Sequence, residues 1–134
     1  MRSQALLVGM LALGAGCEPA APSLGEQIYR DGVGVSGRLQ YSQGPDWLRF
    51  AGPACLVCHG ERGQGLTVQA GDVTGAAPAI TWRALEARGY DEAAFGRALR
   101  SGVDPHGREF IAYMPRWDLD EAELQALVAY LKAL

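Results

Sequence analysis

Several residue types are scarce in this chain, and each scarcity excludes some of the functions that the protein could have. Its 134 residues include three cysteines and two histidines, and Lys132 is the only lysine. The formal net charge is −3, so no basic surface suited to nucleic acid is expected. A phosphate-binding loop, a nucleophile–base pair and paired catalytic carboxylates are not recognisable in the sequence. It therefore gives no support for an enzyme active site.

Long apolar runs are also lacking, with one short exception at residues 5–13. That run follows Arg2 and falls well below the roughly 20 residues that a membrane span needs, so residues 1–16 are predicted to be an export signal. Small residues precede Cys17 and resemble a lipobox, which predicts lipidation of its thiol. Gly14, however, stands where an aliphatic residue is usual. A soluble protein with a spare thiol, or an uncleaved signal, is the alternative.

Downstream of the signal, the composition divides the chain into a tether and one small domain. Residues 17–23 combine the predicted lipidated Cys17 with a Pro/Ala-rich stretch that has nothing to bury and suits a membrane tether. Residues 24–134 have the length of a single domain. A domain this small has a limited core, so a bound apolar cofactor would add to its stability.

Cys55-Leu56-Val57-Cys58-His59 is the most informative stretch of the chain. Two thiols three positions apart can form thioether bonds to the vinyl groups of one haem, and the histidine that follows can bind the iron. A zinc site fits less well because it would need a second ligand pair. A thioredoxin-like pair would need a preceding strand. We therefore expect one covalent haem c, attached to Cys55 and Cys58 and ligated by His59, and such attachment agrees with an exported protein.

A second iron ligand is expected towards the C-terminus. Met114 is the only methionine outside the predicted signal, and Pro115 restricts the backbone directly after it. A thioether suits low-spin haem iron, which favours ligation over a role as core filler. His106 is the competing ligand, although its polar, turn-like surroundings are typical of a solvated loop. Tyr113 and Trp117, on either side of Met114, are large enough to wall a haem.

Capping residues predict three helices in the second half of the chain. Asp120 is a suitable N-cap, and Glu123 completes a capping box before a helix that runs to the chain end. Asp91 can cap a helix that ends at Gly102. Residues 81–88 read as a shorter helix capped by Thr81.

In the order of these features the chain resembles the class I monohaem cytochromes c, from about residue 24 to residue 134. The resemblance implies an all-α fold in which several short helices surround one covalent haem and the N- and C-terminal helices cross. It implies that Gly25 and Tyr29 pack against Leu127 and Tyr130 at that crossing. It also implies that the carbonyl of Pro78 accepts the Nδ1–H of the ligand histidine.

One departure from the family pattern is residues 32–54, named the inserted segment below. This glycine-rich stretch separates the first helix from the cysteine motif, where the family usually has only a few residues. Alternation over residues 38–42 and a turn at 44–46 predict a loop or a weak hairpin over part of the haem pocket. A docking surface for a partner and a cover that dries the haem are both open interpretations.

The resemblance implies a one-electron carrier rather than an enzyme. We expect it on the periplasmic side, tethered through Cys17, passing electrons between respiratory redox partners as a monomer or as a subunit of a respiratory complex. An accessory subunit of a larger oxidoreductase, or a gas-binding domain with displaceable Met114, is the alternative. The arginines from Arg83 to Arg116 are expected to form a solvated face, or else a basic rim for an acidic partner.

Overall fold

A computed structural model describes residues 20–70 and 72–134, and the predicted signal and Cys17 lie outside this range. None of the described helices is long and apolar enough to cross a membrane. The helices are α1 (Leu24–Asp31), α2 (Leu48–Ala51), α3 (Leu56–His59), α4 (Trp82–Glu86), α5 (Glu92–Ser101) and α6 (Glu121–Ala133). The strands are β1 (Val33–Gly34), β2 (Gly37–Arg38), β3 (Gln40–Gln43), β4 (Leu66–Ala70), β5 (Val73–Ala77) and β6 (Arg116–Asp118).

Helices α1 and α6 cross at Gly25. A Cβ atom on this residue would lie 2.1 Å from the carbonyl oxygen of Ala126 and 2.8 Å from the Cβ of Tyr130. The two backbones approach this closely because glycine has no side chain. One turn further along α1, the Tyr29 ring packs against that of Tyr130 with centroids 5.3 Å apart. The crossing of the terminal helices that the resemblance implied is thus confirmed.

Side-chain caps begin the helices where the sequence predicts them. Asp120 accepts a bond from the Glu123 backbone N–H at 2.8 Å, and the Glu123 carboxylate accepts one from the Asp120 N–H at 3.1 Å. Asp91 caps α5, and Gly102 ends it in a left-handed conformation with φ +72°. Thr81 caps α4, but this helix ends at Glu86 rather than at residue 88, because the backbone turns at Gly89 with φ +86°.

Three short antiparallel strand pairs accompany the helices, which the all-α expectation did not include. β1 pairs with β2, β4 with β5, and β3 with β6, the strand that directly follows Met114 and Pro115. The β4–β5 hairpin was not predicted, although residues 66–70 alternate apolar and polar side chains and a Gly-Asp pair follows them. The fold remains mainly helical, as a cytochrome c fold requires.

The inserted segment is part of the hydrophobic core. Its residues Leu39, Tyr41 and Leu48 are buried. The Tyr41 ring meets Trp117 edge-on at a centroid distance of 5.7 Å. At the tip of the β1–β2 hairpin, the Val35 N–H donates to Glu123 Oε1 at 2.8 Å. The segment is therefore a hairpin, a strand and one helical turn packed into the fold. The hairpin lies at residues 33–38 and not around the turn at 44–46 as predicted, because residues 40–43 pair with β6 and residues 48–51 form α2.

Substitution of Gly25 tests the helix crossing. Gly25→Ala is expected to lower the free energy of unfolding by about 2 kcal/mol, because the new methyl group overlaps backbone atoms of α6 that cannot move aside. Asp31→Ala, at an exposed position of the same helix, serves as the control and should change it by less than about 0.5 kcal/mol. Urea denaturation of the haem-loaded proteins measures both. Equal stability of Gly25→Ala and wild type would contradict the close crossing.

Candidate haem site

The cysteine motif forms a single helical turn. Cys55 is the N-cap of α3, and its carbonyl accepts bonds from the backbone N–H groups of Cys58 and His59, the latter at 2.9 Å. Residues three and four positions apart share one face of a helix. The turn therefore presents Cys55, Cys58 and His59 on the same side.

Helix α1 holds the end of this turn. The hydroxyl of the buried Tyr29 donates to the carbonyl oxygen of Gly60, directly after His59, at 2.6 Å. Burial raises the pKa of Tyr29 well above its usual value, so the hydroxyl keeps the proton that it donates. The cysteine motif is thereby fixed to the crossing of the terminal helices.

The ring of His59 is oriented by Pro78. Its Nδ1 lies 2.8 Å from the carbonyl oxygen of Pro78, which is the contact that the resemblance implies. A neutral ring protonated at Nδ1 donates this bond and leaves Nε2 for a metal. Nearly twenty residues separate the two partners, and the β4–β5 hairpin folds between them.

Glycine lets the backbone on either side of this hairpin come together. A Cβ on Gly65 would lie 2.7 Å from the carbonyl oxygen of Ala77 and 2.9 Å from the carbonyl carbon of Pro78. The Ile80 N–H also donates to the carbonyl of Gly63 at 2.7 Å. These contacts bring the Pro78 carbonyl up to the His59 ring.

One large cavity has the cysteine motif in its wall. It measures about 1350 Å³, including the part that is open to solvent, and Cys55, Cys58 and His59 line it. Met114, Tyr113 and Trp117 line the same cavity. Apolar side chains from the second half of the chain form much of the remaining wall, among them Leu85, Phe95, Leu99, Leu127 and Leu131.

The inserted segment closes part of this cavity. Trp47 and Leu48 line the wall, whereas Phe50 of the same short helix is 88% exposed. The segment thus forms part of the cavity wall, and its role as a cover that dries the haem stays a prediction. Its role as a docking surface stays a prediction.

Burial sets the protonation of the groups in the cysteine motif. It raises the pKa of Cys55 to about 12 and raises that of Cys58, because the thiolate loses its hydration. Burial lowers the pKa of His59, and the bond to Pro78 offsets this in part. At neutral pH the imidazole is therefore in the uncharged form that binds metals.

His106, the competing ligand, and the aromatic residue Trp82 both lie outside the cavity lining. His106 is exposed in a turn where its N–H donates to Asp104, so it does not join His59 and Met114. Trp82 packs edge-on against Phe95, at 6.0 Å between ring centroids, and lies under the Lys132 ammonium group.

The expectation of one solvated arginine face was wrong for two residues. Arg83, Arg97 and Arg108 are exposed, but Arg88 is half-buried in the cavity wall and Arg116 is buried. Arg88 donates to the carbonyls of Ala79 and Ala84. Sequence reasoning missed both because the partners of these arginines are backbone carbonyls, which leave no pattern of residue types.

The lining fits a haem. An apolar macrocycle suits apolar walls, its vinyl groups could bond the two thiols, and its iron can take an imidazole nitrogen and a thioether sulfur as ligands. All of these groups line the one cavity, and Arg88 in its wall would offer a positive charge to the haem carboxylates. No cluster of three or more histidine, cysteine and acidic side chains suited to another metal occurs within residues 20–70 and 72–134.

Comparison with known families agrees with this site. The family model of cytochrome c matches residues 49–134, which is more than half of the chain. The chain belongs to the cytochrome c family. No match was found among curated proteins, and none among solved structures.

This cytochrome c is a haem-based electron carrier, since the family binds haem c covalently and is typical of electron-transfer proteins. The matched region begins inside the inserted segment and includes the cysteine motif, Pro78 and Met114. Helix α1 lies outside it. The likeness of α1 to the family therefore rests on Gly25, Tyr29 and the crossing that they make.

The mass of the denatured protein tests the thioether bonds. Produced in a host that matures cytochromes c, the wild-type chain should keep the mass of one haem after denaturation. The double variant Cys55→Ala/Cys58→Ala should keep none, because no sulfur remains at the motif. Cys17→Ser, which retains both motif cysteines, is the control and should keep the haem. A haem retained by the double variant would contradict the assignment.

Proposed function

We propose that this cytochrome c is a membrane-tethered one-electron carrier on the periplasmic side, with haem iron ligated by His59 Nε2 and Met114 Sδ. The observation that carries the proposal is that one cavity is lined by both motif cysteines, by His59 with its Nδ1 already bonded, and by Met114. His106, the rival ligand, is exposed in a turn.

The chemistry of these ligands favours electron transfer over catalysis. The bound haem supplies a one-electron change between Fe(II) and Fe(III). The His59 imidazole and the Met114 thioether would hold the iron from two sides and would leave it no free position for a substrate. A soft sulfur ligand and apolar surroundings both favour the less charged Fe(II) state, so a comparatively high reduction potential is expected.

Restraint of the ligands also suits a carrier, because electron exchange is fast when the site rearranges little. The His59 ring is held by Pro78, the turn that bears it is held by Tyr29, and Pro115 restricts the backbone after Met114. These contacts already exist in the protein fold and do not depend on a partner.

Export and tethering are proposed from the sequence. Arg2, the apolar run at 5–13 and the small residues before Cys17 favour an exported lipoprotein, and haem c is attached on the exported side of bacterial membranes. Residues 17–23 would reach at most about 25 Å when fully extended. The domain would then stay close to the membrane and meet redox proteins there, as a shuttle or as a subunit of a respiratory complex.

Replacement of Met114 tests the iron ligation. The oxidised wild-type protein should show the red absorption band of a sulfur–iron(III) bond, and its reduced form should bind carbon monoxide slowly and incompletely. Met114→Ala should lose the band and bind carbon monoxide rapidly and fully, because the axial position is open. His106→Ala should behave as wild type. Rapid, full binding by wild type would instead favour the gas-binding alternative.

Replacement of Cys17 tests the tether. Wild-type protein should fractionate with membranes and require detergent for release, whereas Cys17→Ser should be soluble because no sulfur is available for a lipid. Wild type found in the soluble fraction would contradict lipidation. After mild detergent extraction, a carrier that shuttles should be recovered alone, while stable co-purification with a larger oxidoreductase would identify a permanent subunit.

A further inference from the structure

Arg116 is a buried cation whose partners are backbone carbonyls. Only 8% of this residue is exposed. Its Nη1 donates to the carbonyl of Met114 at 2.5 Å, and its Nη2 donates to that of Phe110 at 3.0 Å. The described residues contain no carboxylate within ion-pairing distance of it. A buried charge without a carboxylate partner is costly, so these two hydrogen bonds need an explanation.

The two carbonyls mark the ends of the loop that carries Met114. Residues 110–114 contain no helix or strand, and the one backbone bond within them is a turn from the Met114 N–H to the carbonyl of Ile111 at 3.1 Å. The guanidinium group spans the loop from end to end. Because it presents several N–H donors in a rigid plane, it can hold both carbonyls at a fixed separation.

The residue that ends helix α5 is a glycine, which leaves room for the Arg116 side chain. A Cβ on Gly102, the C-cap residue, would lie 1.8 Å from Nε of Arg116 and 2.0 Å from its Cζ. The guanidinium group therefore lies directly over the backbone at the end of α5. Gly102 also accepts a bond from the Phe110 N–H at 2.7 Å, so the same glycine anchors the start of the loop.

The inserted segment fixes the other end of the arginine. Gln43 of β3 is paired with Arg116 of β6, and Tyr41 is paired with Trp117. The ring of Tyr41 lies against Trp117, and its hydroxyl donates to the carbonyl of Pro45 at 2.9 Å. The backbone of Arg116 is thereby held by β3, outside the loop, while its guanidinium group packs against Gly102 at the end of α5.

We propose that Arg116 is a positioning residue for the sulfur ligand. By bonding the carbonyls of Phe110 and Met114, it keeps the loop in the conformation that directs Met114 into the cavity and slows its exchange for other ligands. This inference rests on the proposed ligation by Met114. Arg116 itself does not line the cavity.

Displacement of Met114 by imidazole tests this role. In the oxidised, haem-loaded protein at saturating imidazole, the rate of binding is limited by loss of the sulfur ligand. Arg116→Gln should raise this rate by about tenfold or more, because the loop loses at least one charge-assisted hydrogen bond. Arg116→Lys keeps the charge but cannot bridge both carbonyls, and should give a smaller increase.

Arg100→Gln is the matched control. Arg100 also donates to a backbone carbonyl, that of Leu119 at 3.1 Å, but this carbonyl is outside the Met114 loop. The rate at which imidazole binds to Arg100→Gln should equal the rate for wild type. The free energy of unfolding is measured for each variant, because a purely structural role would lower stability without changing the rate of sulfur loss.

The outcomes are distinguishable. If the Arg116 variants show the wild-type imidazole rate and retain the sulfur–iron band, the positioning role is overturned while the ligation stands. If wild type lacks that band and Met114→Ala binds imidazole no faster, the proposed ligation fails and this inference fails with it. Should the glutamine variant not fold, the lysine variant decides, since it keeps both the charge and most of the buried stem.

Discussion

The hydrogen bond from Tyr29 to the carbonyl of Gly60 joins the crossing of the terminal helices to the cysteine motif. On one side, Tyr29 belongs to α1, whose position is set by the contact of Gly25 with α6. On the other, Gly60 directly follows His59. The position of the His59 ring therefore depends on how closely the first and last helices cross. A side chain at Gly25 would disturb that ring without touching it.

Features that rest on local residue patterns were predictable from the sequence. The capping box of Asp120 and Glu123 begins α6 as expected, Asp91 and Gly102 bound α5, and the cysteine motif needed only its own spacing. Each of these depends on residues within a few positions of one another. The contact between Pro78 and His59 was reached only through the family resemblance, because no local pattern joins residues so far apart.

Most of the features that the sequence did not reveal depend on long-range pairing. β3 and β6 lie more than seventy positions apart. Alternation over residues 38–42 indicates a strand at β3, but no local pattern pairs it with β6, whose three residues are too few to alternate. Arg116 and Arg88 read as ordinary surface arginines because their partners are carbonyl groups, which every residue possesses. Glu123 shows the same limit: its capping role was predictable, whereas its bond to the Val35 N–H came from a hairpin with no local signature.

The scarcity of lysine has a practical consequence. The ammonium group of Lys132 lies 2.5 Å from a carboxylate oxygen of Glu92 and 5.0 Å from the centre of the Trp82 ring. Lys132 does not line the cavity. Apart from the α-amino group, it is the sole amine that an acylating reagent can attack. With the α-amino group blocked, coupling through Lys132 would attach every molecule to a solid support at the same point, so that immobilised copies share a single orientation towards an electrode.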